Sequence, residues 1–146
     1  MSTLVPIGSD HAGFKMKQII IDWLKRTGYQ VSDEGCYSEE RADYPDYAHA
    51  VATKVAGKEA VKGILLCGSG NGIAMTANKH SGIRAAICWT RELAELARLH
   101  NDANILVLPA RFIHEEEAIE CVKVFMNTGF EGGRHTQRVA KIDLNA

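Results

Sequence analysis

The segment Cys67-Gly68-Ser69-Gly70-Asn71-Gly72 puts a thiol directly ahead of three glycines at alternate positions. Glycines spaced this way let successive backbone N–H groups turn inward and form an anion-binding nest. A helix starting here would add its free N–H groups and the positive end of its dipole at the same point. Both effects favour thiolate over thiol, so Cys67 is the expected reactive group, with its loop cradling an anionic oxygen. The plainer alternative is a tight strand-to-helix turn in which Cys67 is a small core residue. Serine, asparagine and cysteine interleaved with the glycines favour a site. A dinucleotide fingerprint GxGxxG and a cysteine-phosphatase loop Cys-x5-Arg both fail at Ile73, where they would need glycine and arginine.

Other residues offer phosphate chemistry or proton transfer. Arg134 and Arg138 lie four apart, so on a helix they share a face and could fork a phosphate. His135 and Lys141 add basic character there, and a solvated basic tail explains the spacing equally well. His100 continues the Leu93-Leu96-Ala97 stripe and should face inward at a helix end, beside Asn101 and Asp102. In Asp10-His11 the carboxylate either orients the ring or caps the next helix. His49, His80 and His114 receive no role.

These residues need a scaffold, and short β-type runs alternating with helical ones predict an α/β fold with a parallel sheet. Strands are expected at residues 4–9, from Val31, and at 63–67, 85–88 and 105–108. Pro6 is a mark against a central place for the first. Helices are expected over the Met16-Ile19-Ile20-Trp23-Leu24 stripe, then at 47–56, 72–79, 90–100 and around Ala118-Val122-Phe125-Met126. A polar tail follows from Gly129. The whole reads as one domain over residues 1–146, a Rossmann-like or flavodoxin-like doubly wound sheet of five parallel strands. Ligands in such sheets collect at the carboxyl ends of the strands. Several of the chemically capable residues are therefore expected to meet in one crevice, with the tail (about 129–146) completing it.

Length and composition narrow the function classes. A chain of 146 residues and 16.0 kDa, 46% hydrophobic and 24% charged, suits one soluble globular domain. Its formal net charge of −1 gives no reason to expect nucleic acid or an acidic membrane as partner. No apolar run approaches the ~18 residues of a membrane span. The leading residues lack the pattern of a signal peptide, and the four cysteines contain no CxxC pair. They are expected to be free thiols in a cytoplasmic protein. No histidine lies near a cysteine at zinc-ligand spacing.

Ser9-Asp10-His11-Ala12-Gly13-Phe14, Asp43-Tyr44-Pro45, the Cys67 loop, Ala77-Asn78-Lys79, His100-Asn101-Asp102-Ala103-Asn104 and Glu131-Gly132-Gly133-Arg134-His135 together resemble the type B ribose-5-phosphate isomerase family. That family is related to the bacterial galactose-6-phosphate isomerase subunits. The resemblance runs from about Val5 to Lys141. It implies a cofactor-free aldose–ketose isomerase acting on a phosphorylated sugar, as a homodimer or dimer of dimers with active sites shared between subunits.

By that resemblance, Cys67 is the base that shifts a proton between C1 and C2, and Gly68, Gly70, Asn71 and Gly72 hold the enediolate oxygens. Ser69 keeps the hydroxyl that many cysteine-type members place there as threonine. His100 opens the furanose ring, with Asp10 on the sugar hydroxyls. His11, Arg134 and Arg138 hold the phosphate, and Asn101 and Arg111 line the site. Part of the family follows the same loop with a glutamate base. Ile73 stands there instead and leaves Cys67 as the base. Competing expectations are a hexose 6-phosphate isomerase (allose or galactose), a non-catalytic sugar-phosphate-binding protein, and a cysteine hydrolase using Cys67, His100 and Asp102.

Overall fold

The computed structural model describes residues 3–144. Its strands are β1 (Leu4–Ser9), β2 (Gln30–Asp33), β3 (Gly63–Cys67), β4 (Ala85–Ile87) and β5 (Ile105–Pro109). Its helices are α1 (Phe14–Arg26), α2 (Tyr44–Ala56), α3 (Asn71–Ala77), α4 (Arg91–Asn101), α5 (Glu115–Asn127) and α6 (Arg134–Ala140). The strands form one sheet in the order β2-β1-β3-β5-β4, and every pairing is parallel. This is the expected doubly wound, flavodoxin-like α/β fold.

Strands covered on both faces read as continuous apolar runs, and Gly63-Ile64-Leu65-Leu66-Cys67 and Ile105-Leu106-Val107-Leu108-Pro109 are buried throughout. Alternation along each strand sorts the side chains by face. Ile7, Ile64, Leu66, Leu106 and Leu108 pack with Ile20 and Leu24 of α1, Ala97 of α4, and Val122 and Phe125 of α5. Leu65, Cys67, Ile105 and Val107 pack on the opposite face with Val51 and Ala52 of α2 and Ile73 and Ala77 of α3. Cys67 thus belongs to the α2–α3 side.

Two of the three prolines explain where expectation and structure differ. β1 is central despite Pro6, because its ladder with β3 begins only at Ile7, so the missing N–H interrupts no bond there. Pro45 lies in the first turn of α2, where a backbone N–H has no intrahelical partner, and the helix starts at Tyr44, ahead of the expected 47. The tail is also more ordered than its polarity suggests. Gly132 and Gly133 adopt φ of 73° and 57°, and the chain then enters α6.

Candidate active site

Three crossovers bring functional side chains to the carboxyl ends of the central strands. Cys67 ends β3 and is 4% exposed. Its carbonyl accepts from Ala110 N at 2.9 Å, and the Gly68 carbonyl accepts from Arg111 N at 3.0 Å, so the segment after β5 is tied to the glycine loop. The Arg111 guanidinium covers Gly68 so closely that a β-carbon there would stand 3.2 Å from Nη1. Gly70 takes the left-handed conformation (φ 83°) that turns the chain into α3. The Ser69 hydroxyl accepts from Asn71 N at 3.2 Å, closing the turn.

Asp10 and His11 follow β1 beside this loop, Asp10 N donating to the Leu66 carbonyl at 3.3 Å. The choice left open for Asp10 resolves toward capping. Its Oδ1 accepts from Ala12 N at 3.0 Å and from Gly13 N at 3.3 Å, at the head of a short 3₁₀ turn. Gly13 is required there, since a β-carbon would come within 2.8 Å of Leu66 Cβ. His11 Nδ1 faces the backbone of Ala42, 3.2 Å from its N and 3.3 Å from its carbonyl oxygen. That contact leaves Nε2 as the ring nitrogen for a ligand.

A second cluster forms at the end of α4. His100 stacks on His135 with centroids 4.3 Å apart and planes 13° from parallel. Glu131 lies beside both rings, its oxygens 3.8 Å from His100 Nε2 and 4.0 Å from His135 Nε2. The segment is pinned by Glu131 N, which donates to the Leu99 carbonyl at 3.1 Å. Burial, then the neighbouring His100 and Arg134, lower the His135 pKa from its ordinary value. His100, Asn101, His135 and Arg138 line a cavity of about 350 Å³. Arg134 and Arg138 are exposed residues of α6 at the spacing that puts them on one face.

The expected single crevice does not form within one chain. α4 begins after β4, at the carboxyl edge of the sheet, and runs back to the amino edge, where Asn104 O accepts from Gly63 N at 2.9 Å. Cys67 pairs with Pro109, four positions along from the Gly63–Ile105 pair, or about 13 Å of strand. His100, Asn101, Arg134 and Arg138 therefore lie at one end, and Asp10, His11, Cys67, Ser69 and Arg111 at the other. Asp102 is held by Arg98 at 2.9 Å and Arg84 at 3.5 Å. The Cys67–His100–Asp102 arrangement of a hydrolase is not assembled within the chain.

The sequence assigned no role to Tyr44, whose ring lies against Gly72 of the loop, nor did it group Glu131 and His135 around His100. Tyr44, Glu131 and His135 did all occur in motifs that carried the family resemblance, and His135 also stood out as part of the basic end of the chain.

A parallel five-stranded sheet with a thiol and glycine loop at its carboxyl edge matches one family: the chain belongs to the ribose/galactose isomerases, whose model spans residues 5–142. It is accordingly an isomerase, an intramolecular oxidoreductase. Its sequence is 46% identical over 138 residues to ribose-5-phosphate isomerase B of Escherichia coli (strain K12), covering 94% of this chain and 93% of that one. The crystal structure of a ribose 5-phosphate isomerase from Thermotoga maritima superposes with a TM-score of 0.96 at 49% identity, covering 99% of both chains. Ribose-5-phosphate isomerase B from Mycoplasma genitalium, solved with bound ribulose-5-phosphate, gives a TM-score of 0.92 at 43% identity, over 97% of this chain and 95% of that one.

Proposed function

We propose that the protein interconverts ribose 5-phosphate and ribulose 5-phosphate through an enediolate, with Cys67 as the base. The observation that carries this reading is the position of Cys67, at the carboxyl edge of the sheet and directly before a glycine turn crossed by Arg111. Likeness to a relative solved with bound ribulose-5-phosphate supports the substrate.

The Cys67 thiolate takes the C2 proton of the open-chain aldose. The freed electron pair forms the C1–C2 double bond, and the charge passes to the C1 oxygen. Backbone N–H groups of residues 68–72 face that oxygen, where charge develops. The hydroxyl proton of the C2 oxygen passes to the C1 oxygen, the proton held by the thiol returns at C1, and the C2 oxygen becomes the ketone, so no atom or electron is gained or lost. His100 opens the furanose ring, and Arg134 and Arg138 fork the phosphate, with His11 assisting. Asn101 lines the site. Asp10 keeps its cap with Oδ1 and offers Oδ2 to a sugar hydroxyl.

Because the two clusters lie at opposite edges of one sheet, the complete site is built from two copies. One contributes Asp10, His11, Cys67, Ser69 and Arg111, and the other contributes His100, Asn101, Arg134 and Arg138. Two-fold symmetry then gives two equivalent sites per homodimer.

The test is a metal-free assay of the purified protein against pentose 5-phosphates and hexose 6-phosphates. Turnover should be greatest with ribose 5-phosphate. Greater turnover with allose or galactose 6-phosphate would replace the substrate, and binding without turnover would make the protein a sugar-phosphate-binding module.

A further inference from the structure

We propose that His100, Glu131 and His135 form a site for a divalent metal of borderline softness, represented by zinc, and that the ion inhibits the protein by occupying His100. The first half stands on geometry alone, and the second rests on the role of His100 given above. The three ligand atoms all lie within 4.8 Å of one another. Ligands of one tetrahedral zinc, at about 2.1 Å from the metal, stand about 3.4 Å apart. The His100–Glu131 and His135–Glu131 separations of 3.8 and 4.0 Å are close to this, and binding requires the two rings to turn out of their 13° stack so that both Nε2 lone pairs converge on the ion.

A second observation points independently to a ligand. His135 is 6% exposed, and its Nε2 is buried without a hydrogen-bond partner. A ring nitrogen in that state carries an uncompensated desolvation cost, which a bound group would remove. The stacked rings present their Nε2 atoms toward one carboxylate, and the bond from Glu131 N to Leu99 O fixes where that carboxylate begins. The adjoining cavity leaves room for a fourth ligand such as water. Two imidazoles and one carboxylate with an open position suit zinc, whereas magnesium prefers an all-oxygen shell.

Calorimetric titration of the EDTA-treated full chain with zinc chloride should give one site per chain, and magnesium chloride should give none. Cys67→Ala should bind zinc as the wild type does, which separates this site from thiol coordination. Glu131→Gln, at a half-exposed position, and His135→Phe, which keeps a stacked ring, should each weaken binding at least about tenfold, since even outer-shell losses cost that much. Zinc affinity unchanged in both variants, or lost in Cys67→Ala, would overturn the site.

For the inhibitory half, zinc at concentrations that fill the site should stop isomerisation of ribose 5-phosphate by the wild type. Glu131→Gln, scored against its own zinc-free rate, should require at least about tenfold more. Full turnover of the zinc-loaded wild type would overturn inhibition. Absence of turnover in the zinc-free protein would overturn the proposed activity while leaving the calorimetric result intact.

Discussion

Tyr44 lies against Gly72 so closely that a β-carbon on Gly72 would stand 2.4 Å from Tyr44 Cζ and 2.8 Å from its hydroxyl oxygen. The first turn of α2 thereby props the loop that follows Cys67. Gly72→Ala should cost about 1–3 kcal/mol, as overpacking does, and should displace the ring. In a Tyr44→Ala background the same change should fall within about 0.5 kcal/mol of zero. Denaturant unfolding of the four proteins gives the coupling, and equal costs in both backgrounds would remove the prop.

Cys67→Ala should lower turnover of ribose 5-phosphate by at least about 10²-fold, the lower end of what a positioned general base contributes. Binding of the phosphorylated sugar should persist, because the residues assigned to the phosphate lie elsewhere. Calorimetry with substrate alongside a turnover assay checks both halves. Undiminished turnover would exclude the thiol as base.

Two of the other three thiols, Cys88 and Cys121, should resist alkylation. Burial pushes Cys88 and Cys121 up to about 12, reinforced by Cys121 beside Cys88 and by Glu117 and Glu120 beside Cys121. At pH 8 only about one in ten thousand of these groups is thiolate. Iodoacetamide applied to the native protein, followed by peptide mass mapping, should leave both unmodified. Labelling of either at the rate of a free thiol would contradict the burial.

Mixing two inactive variants tests the shared site. Cys67→Ala and His100→Ala subunits, unfolded together and refolded in equal amounts, should yield heterodimers with one intact site of two. Activity should return to about a quarter of the wild-type value under random two-fold pairing. A mixture as inactive as its components would place both residues in one chain's site.

Lys62 supplies a pH dependence of stability. Its ammonium donates to the Phe125 and Met126 carbonyls at 3.1 and 3.2 Å, at the end of α5. Burial, then Arg98, lowers its pKa from 10.5 to about 8. Between those values the unfolded chain holds the proton and the folded chain has released it, so this group makes stability rise with pH. The penalty is full below pH 8 and disappears toward pH 10.5. Unfolding free energies at about pH 7 and about pH 10 should therefore shift in favour of wild type relative to Lys62→Met. A difference that is constant with pH would refute the assignment.

Much of this architecture was legible because buried parallel strands must be apolar on both faces, which makes Gly63–Cys67 and Ile105–Pro109 conspicuous. The Cys67 loop was legible for a related reason, since alternating glycines have few uses other than a turn or a cradle. His100 was correctly placed at a helix end. The direction of that helix, however, carries it to the amino edge of the sheet, opposite Cys67. Glu131 and His135 lie 31 and 35 positions beyond His100, and no periodicity links residues brought together by a loop closing onto a helix terminus. Pro6 misled because a strand proline's cost depends on which neighbour its missing N–H faces, which is a property of pairing.

The roughly strand-length gap between the cysteine and the arginine pair has an evolutionary consequence. In a site divided between two copies, the reach from phosphate clamp to reacting carbon is set by how the subunits dock, and no single pocket residue controls it. A change of preferred sugar length could then arise from substitutions on the contact surface alone, with every chemical group kept. Substrate choice in this family would be a trait of the assembly, and comparing pocket residues between relatives would not detect it.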